Sequence, residues 1–530
     1  MKCVSMKNKF GQYFTPRDIV NFMVDLVGKP VDASVLEPSC GEGVFLDVLS
    51  ERGYKNIDAF EIDESLATQY PFVKYESFIS ADIRPNYDLI IGNPPYIRWK
   101  NLEKELKDEL CENDLWNMHF NSLCDYLYIF ILRSIELLNE GGELVFICPE
   151  YWMSTTHSST LRDYMMKNGY FEAIYHFNET PIFSGVNVSI VIFKYVKTED
   201  RVRRNQRIRL IRYYNTKKLD QSDLYKIAND EPMEGVESIT ISQFQVGRRW
   251  ILQDDELSRK LELFMDSCVC RVQPLTLDLL DERNVLTIGD VCDIGNGLVS
   301  GLDKAFQLKE LDVLNEKERE STLKVFKAKN LTPYLPQECT WYINIEVPIE
   351  EEDLQTQYPN FYSQLFKYKD KLLERYQYNK DIKYWEWVFK RNYQLFKRGG
   401  RRIFVPCKER VSNKGFFRFA LVEDSYFPTQ DVTALLKKPT TRESIEYIVA
   451  YLNMPIVFDW LKNYGIIKGH IVEFSEKPIA SIPFKGIDWN NVDEVRLHDG
   501  ITQKVNELLE SKNMSLVNSI NEDLNKLLNI

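Results

Sequence analysis

The sequence predicts an α/β protein in which a doubly wound sheet over roughly the first 200 residues is followed by a mixed α+β domain. Three observations predict it. Up to about residue 195, short apolar runs alternate with helical patterns, the rhythm of strands joined by crossover helices. Two of those runs end in tight turns, Glu37-Pro38-Ser39-Cys40-Gly41-Glu42-Gly43 and Asn93-Pro94-Pro95-Tyr96. Beyond residue 200 the alternation gives way to charge runs, aromatic clusters and short strands.

Ile19, Phe22, Met23 and Leu26 fall at i, i+3, i+4 and i+7, with Thr15 placed as N-cap and Pro16 at the first helical position, so an amphipathic helix is expected there. Val35-Leu36 reads as a strand feeding the glycine turn, with a helix from Phe45 to Ser50 after it. Residues 58–63 read as a second strand ending in acid, and Ser80-Ala81-Asp82 as the end of a third. Tyr87 to Gly92 is a buried strand leading into Asn93. A helix over 126–138, stopped by Asn139-Glu140-Gly141-Gly142, precedes a strand at 144–147, and 188–195 adds another. The expected boundaries are 1–200 for the α/β unit, 201–265 for a linker with connecting helices, 266–490 for the second domain and 491–530 for C-terminal helices carrying Val505, Leu508, Leu509, Val517, Ile520, Leu524, Leu527 and Leu528.

Composition narrows the class. The 530 residues carry 67 Lys+Arg against 79 Asp+Glu, a net charge of −12, with 44% apolar and 13% aromatic residues. That profile excludes disordered and collagen-like chains. No apolar run reaches the roughly 18 residues of a membrane span, and MKCVSMKNKF lacks a signal-peptide core, so a cytoplasmic protein without membrane contact is expected. Ten scattered cysteines with no CxxC, and five histidines, suggest reduced thiols and no metal site; Cys268-Val-Cys270 has the wrong spacing for a zinc knuckle.

The chemistry concentrates at Asn93-Pro94-Pro95-Tyr96, at the carboxyl end of an apolar strand, where open α/β sheets bind ligands. Two prolines fix φ and remove two N–H donors, leaving a rigid row of acceptors. Asn93 Oδ1 and the Pro94 carbonyl can each accept from one planar amino group, and Tyr96 can stack on the ring bearing it, a contact worth roughly 1–3 kcal/mol per base. Upstream, Gly41 and Gly43 let a ligand approach the backbone, and Glu61 can take a ribose. Glu37 would repel a pyrophosphate, so a nucleoside with a cationic end, S-adenosylmethionine, fits better than a dinucleotide. Asp82 could accept from its adenine amine.

The series Gly11-Gln12-Tyr13-Phe14-Thr15-Pro16, Leu36 to Gly43, Phe60-Glu61-Ile62-Asp63, Ala81-Asp82 and Asn93-Pro94-Pro95-Tyr96 resembles the gamma class of adenine-N6 DNA methyltransferases of restriction-modification systems. The resemblance is specific over about residues 10–195; it is looser over 285–485, where 295–306 and 426–432 look like parts of a target-recognition domain. It implies a class I S-adenosylmethionine-dependent fold, Rossmann-like with a mixed seven-stranded sheet, and a C-terminal recognition domain. It further implies that the Thr15 loop covers the methionine end of the cofactor, that Glu37, Gly41 and Gly43 hold it, and that Glu61 binds the ribose. Ile62 and Phe130 would enclose the cofactor adenine with Asp82 on its amine, and Phe183 would stack on a flipped target base opposite Tyr96; an apolar core face would suit either phenylalanine equally. Methyl transfer to N6 would need neither metal nor covalent nucleophile.

The net charge of −12 argues at first against double-stranded DNA as partner, since phosphate binding needs Lys and Arg. Local charge reverses that: residues 201–220 hold eight Lys/Arg against one Asp, and 381–420 hold eleven against three acids, interleaved with Tyr384, Trp385, Trp387, Phe389, Tyr393 and Phe396. Lys397, Arg398, Arg401 and Arg402 are expected to grip phosphates, Lys468-Gly469-His470 to add a loop, and charge reversal at Arg401 and Arg402 to weaken binding. A monomer on DNA and a separately encoded restriction endonuclease are the expected partners, because the motifs begin by residue 15 and no nuclease motif occurs. The same Asn-Pro-Pro-Tyr motif also serves protein-glutamine and RNA amino-group methyltransferases, and a DNA-specificity protein with an inactive cofactor fold is a further alternative.

Overall fold

A computed structural model of the chain describes residues 13–66, 68–178, 180–183, 188–215, 217–269, 285–375, 382–411, 414–468 and 471–530. The chain divides into two compact units, Met1–Ser258 and Arg259–Ile530. Among the described residues no helix is long and apolar enough to cross a membrane.

Among the described residues, the first unit is built on one sheet of nine strands: β1 (Ser34–Glu37), β2 (Asn56–Phe60), β3 (Val73–Lys74), β4 (Tyr87–Gly92), β5 (Leu138–Pro149), β6 (Gly169–His176), β7 (Ile190–Lys197), β8 (Ile208–Tyr213) and β9 (Val236–Ile241), in the order β3-β2-β1-β4-β5-β7-β6-β8-β9. Strands β3 through β5 run parallel, and β7 and β9 are antiparallel to their neighbours. The sheet is covered on both faces, which is why its central strands read as unbroken apolar runs. Successive residues point to opposite faces. Val35, Leu89, Ile91 and Val145 pack with helices α1 (Arg17–Asp25) and α2 (Val44–Glu51) on one side. Leu36, Ile90, Leu144 and Phe146 pack against α3 (Tyr126–Leu137) on the other, and ten of the twelve residues of α3 are buried. Burying each Leu, Ile or Phe side chain contributes roughly 1.5–3 kcal/mol.

Four expectations change. The sheet has nine strands, not seven, because residues 201–265 are not a linker: β8 and β9 extend the sheet, and the unit ends near residue 258. The basic run over 201–220 hid strand β8, in which Ile208, Leu210, Ile211 and Tyr213 are buried while Arg209 and Arg212 pair with Asp230 and Glu237. Thr15 does not cap α1; Pro16 precedes the helix and no side chain caps it. Asp82 does not end a strand, since β3 is only Val73–Lys74 and Asp82 lies in an exposed turn.

Among the described residues, the second unit holds three small sheets. Strands Cys292–Asn296, Val432–Lys437, Arg402–Pro406 and Ala420–Val422 form one, and Gln307–Leu308, Thr340–Ile343, Thr322–Phe326 and Tyr426–Pro428 another. Lys408–Arg410, Ile471–Glu473 and Ile466–Lys468 form the third. The segments around 295–306 and 426–432 pack directly on each other: a Cβ on Gly297 would lie 2.1 Å from the Thr429 carbonyl oxygen, so only glycine fits there. The last two helices, Val492–Ser511 and Leu516–Leu528, bury Val505, Leu508, Ile520, Leu524, Leu527 and Leu528.

Candidate active site

The strand order reverses between β1 and β4, and the turns that leave their carboxyl ends meet there. Contact is tight: a Cβ on Gly92 would stand 2.3 Å from Glu37 Oε1, so β4 passes the Glu37 carboxylate only because it ends in glycine. Above the turns lies a cavity of about 210 Å³, walled by Tyr13, Phe14 and Thr15, by Pro38 to Glu42, by Glu61 and Ile62, by Ser77 and Phe78, by Asn93, Pro94 and Pro95, and by Tyr126 and Phe130 of α3. Gly43, at φ 89°, starts α2 just behind it.

Two carboxylates define its electrostatics. Glu37 is fully buried, and among the described residues neither of its oxygens has a hydrogen-bond partner. Burial pushes its pKa well above the ordinary carboxylate range; the Ser39 backbone N–H opposes this without reaching hydrogen-bond geometry, and Glu61 adds to it. An isolated carboxylate at such a site calls for a cationic partner. Glu61, at 5% exposure, is better supported, accepting from the Gly41 N–H at 2.8 Å and the Asp63 N–H at 2.9 Å, although burial still raises its pKa.

Asn93 is held from three directions. Its Nδ2 donates to the Tyr13 carbonyl at 2.7 Å and to Thr15 Oγ1 at 3.1 Å, and its own carbonyl accepts from Ser39 Oγ at 3.2 Å. The side-chain amide is thereby oriented, and Asn93 Oδ1 is left buried without a partner. An acceptor in that condition carries a desolvation cost of about 1–3 kcal/mol that a donor from a ligand would remove. Next to it, the Tyr96 ring lies parallel to that of Tyr13, with centroids 4.9 Å apart at 6°, and burial holds its phenol protonated. Phe183 contacts Tyr13 from 5.9 Å at 51°. Ser184 and Gly185, beyond it, lie outside the described residues.

Of the residues expected from the sequence, Thr15, Gly41, Glu61, Ile62, Asn93, Pro94, Pro95 and Phe130 line the cavity, and Glu37 lies buried beneath it. Asp82 does not reach it; its turn points to solvent, and the aromatic wall is instead completed by Phe78, 5.2 Å from Phe130. Sequence reading missed Ser77, Phe78, Tyr126 and the ring of Tyr13. For Phe78 the only signal was an aromatic in the irregular stretch before Asp82, and for Tyr13 its place two residues before Thr15.

The basic band behaves differently. Arg402 has no exposed surface: its Nη1 and Nη2 donate to the carbonyls of Phe396 (2.6 Å) and Arg398 (2.7 Å), capping the end of the short helix Tyr393–Phe396. Arg401 pairs with Glu423 and Glu446 at 2.9 and 3.0 Å, Arg398 with Asp293 at 2.6 Å, and Lys397 with Glu346 at 3.0 Å. Tyr384, Trp385, Trp387 and Phe396 are core residues. The expected phosphate grip is corrected at Arg402, which is buried and held by backbone carbonyls; Lys397, Arg398 and Arg401 pair with acids of their own unit but keep 37–44% of their side-chain surface exposed. Gly469 and His470 lie outside the described residues.

Comparison with known proteins identifies the family. The family described as Eco57I restriction-modification methylase matches residues 45–183, and N-6 DNA Methylase matches residues 3–69. Over 99% of the chain and 98% of the relative, the sequence is 46% identical to the Type II methyltransferase M.HindII of Haemophilus influenzae, and over the same shares 43% identical to M.HincII of that species. The solved structure of the Type IIL restriction-modification enzyme MmeI in complex with DNA shares the fold, with a TM-score of 0.54 over 97% of this chain and 72% of that one at 12% identity. The chain belongs to the Type II restriction-modification methyltransferases and is an adenine-N6 DNA methyltransferase.

Proposed function

We propose that the chain transfers a methyl group from S-adenosylmethionine to N6 of an adenine flipped out of a short duplex recognition sequence. The observation that carries this reading is Asn93: a buried Oδ1 without a partner among the described residues, aimed by the hydrogen bonds from Nδ2 to Tyr13 and Thr15, at the edge of a cavity walled by Pro38 to Glu42, the turn that follows the buried Glu37. The residues fit S-adenosylmethionine. Glu37 would take its ammonium, Glu61 the ribose hydroxyls, and Ile62, Phe78 and Phe130 the adenine faces, with Gly41 and Thr15 closing on the methionine end. When bound, it supplies an electrophilic sulfonium methyl.

The chain's own residues do the rest. Asn93 Oδ1 and the Pro94 carbonyl accept from the two N6 protons, so the nitrogen lone pair is held away from the base plane and directed at the methyl carbon. Pro95 keeps the row rigid. Tyr96 and Phe183 stack on the extruded base and offset an unstacking cost of a few kcal/mol. Acceleration comes from positioning. Residues 266–490, within the second unit, supply sequence recognition in this reading, the chain acting as a monomer on DNA in the cytoplasm beside a separately encoded endonuclease; the Type II names of the full-length relatives support the restriction-modification setting.

Radiolabelled methyl transfer onto duplex DNA, RNA and protein, side by side, tests the substrate class, and long-read sequencing of DNA from expressing cells reads base and sequence together. Label on RNA or protein in preference to DNA overturns the reading.

A further inference from the structure

The two rings assigned to the target base are already in contact with a third. Tyr13 is half-buried, lies parallel to Tyr96 at 4.9 Å and 6°, and meets Phe183 at 5.9 Å. A 4.9 Å parallel pair is the geometry of a stacked aromatic, the one a purine on Tyr96 would adopt. We propose that the Tyr13 side chain is a stand-in for the target base: it fills the stacking slot at Tyr96 and Phe183 and must swing out before an adenine can reach Asn93. The proposal rests on the functional reading above and adds a residue to it.

The anchoring of this segment suits a swinging ring. Tyr13 is tied to Asn93 through its backbone carbonyl, and Thr15 through its hydroxyl, so rotation of the Tyr13 side chain leaves both hydrogen bonds to the Asn93 amide in place. Asn93 thus keeps its orientation while the slot changes occupant. Tyr13, Phe14 and Thr15 all line the cofactor cavity as well, and Phe14 packs over the Gly41 turn, 3.8 Å from a Cβ placed there. The slot and the cavity consequently share one wall, and a base entering the slot displaces a ring of the segment that covers the cavity. The Tyr13 ring keeps Tyr96 covered by an apolar face until a base replaces it, so each flipped base has to compete with an internal ligand.

The test uses the full chain and a duplex with 2-aminopurine at the adenine located by long-read sequencing, following the fluorescence rise as the base leaves the stack. Tyr13→Ala is expected to shift the flipping equilibrium toward the extruded base by about fivefold, the scale of one lost aromatic pair, whereas Tyr13→Phe, which keeps the ring, should flip as the wild type does. Melting temperatures of both variants report whether the fold is retained. A Tyr13→Ala protein that melts like the wild type yet flips no better, or worse, overturns the proposal while the wild type still methylates the duplex. Failure of the wild type to methylate DNA overturns the functional reading, and this proposal with it.

Discussion

The turn at Asn93 and the basic band at 381–420 both stood out in the sequence, yet the first lines a cavity and presents a buried acceptor, whereas many side chains of the second are paired within their own unit. At Asn93 the backbone path is set by immediate neighbours: two prolines and a buried strand hold the turn, although the Asn93 side chain itself is oriented by Tyr13 and Thr15. In the basic band the relevant partners are remote. Glu346, Asp293, Glu423 and Glu446, between 22 and 105 positions away, neutralise Lys397, Arg398 and Arg401. A rigid local motif survives folding unchanged, whereas a linear count of charge does not survive it, because folding brings acids from elsewhere.

The largest expected effect sharpens the first half of that contrast. Asn93→Ala removes the aimed acceptor and should lower methyl transfer by about 10³-fold, by analogy with deleting one preorganised group of an active site, while equilibrium dialysis shows cofactor binding nearly intact; retained turnover would break the assignment. Arg402→Ala addresses the second half. Two capped carbonyls lose their donor inside the core, so urea denaturation should show a loss of about 2–4 kcal/mol, and DNA affinity per folded molecule should keep its salt slope. A shallower slope at full stability would return Arg402 to the DNA.

Glu37→Gln should weaken S-adenosylmethionine binding by roughly 10- to 100-fold, as expected for losing a hydrogen bond to a charged group. The same variant carries a pH signature. The folded-state pKa of Glu37 is raised above its ordinary value of 4.5, so its protonated form stabilises the fold at acid pH and that contribution is lost as pH rises through the folded value. Without cofactor, Glu37→Gln should therefore melt increasingly above the wild type as pH is raised from 5 to 8; parallel melting curves would show that Glu37 is already paired. Thr15→Val deletes one of the two acceptors that orient Asn93. A net hydrogen bond of about 1 kcal/mol implies roughly a fivefold fall in kcat, and a change confined to the KM for cofactor would instead make Thr15 a lid residue only. The smallest effect belongs to Arg401→Ala, whose partly exposed ion pairs are worth at most about 1 kcal/mol, with no change in DNA affinity by fluorescence anisotropy.

Much of the site was legible because it consists of contiguous turns at strand ends: the Glu37 to Gly43 turn, Glu61 just past β2, and Asn93 to Tyr96 just past β4. Asp82 failed because an acid after a short apolar stretch looks the same whether it ends a strand or an exposed turn. Thr15 was read both as a helix cap, which it is not, and as part of a loop over the cofactor; that its hydroxyl also accepts from Asn93, 78 residues away, could not be read from the sequence. β8 was obscured because its arginines weighed more as charge than Ile208 and Leu210 on one face and Ile211 and Tyr213 on the other did as a strand.

By itself, then, the sequence determined the α/β class, the order of the turns around the cavity and the chemistry of the Asn-Pro-Pro-Tyr row, since each follows from residues that are neighbours along the chain. Only the tertiary structure decided that Glu37 is left without a partner, that Asn93 is aimed by Tyr13 and Thr15, that the Tyr13 ring sits on Tyr96, and that Arg402 is buried. Burial and pairing depend on which distant groups are brought within a few ångströms, and neither residue type nor spacing encodes that distance.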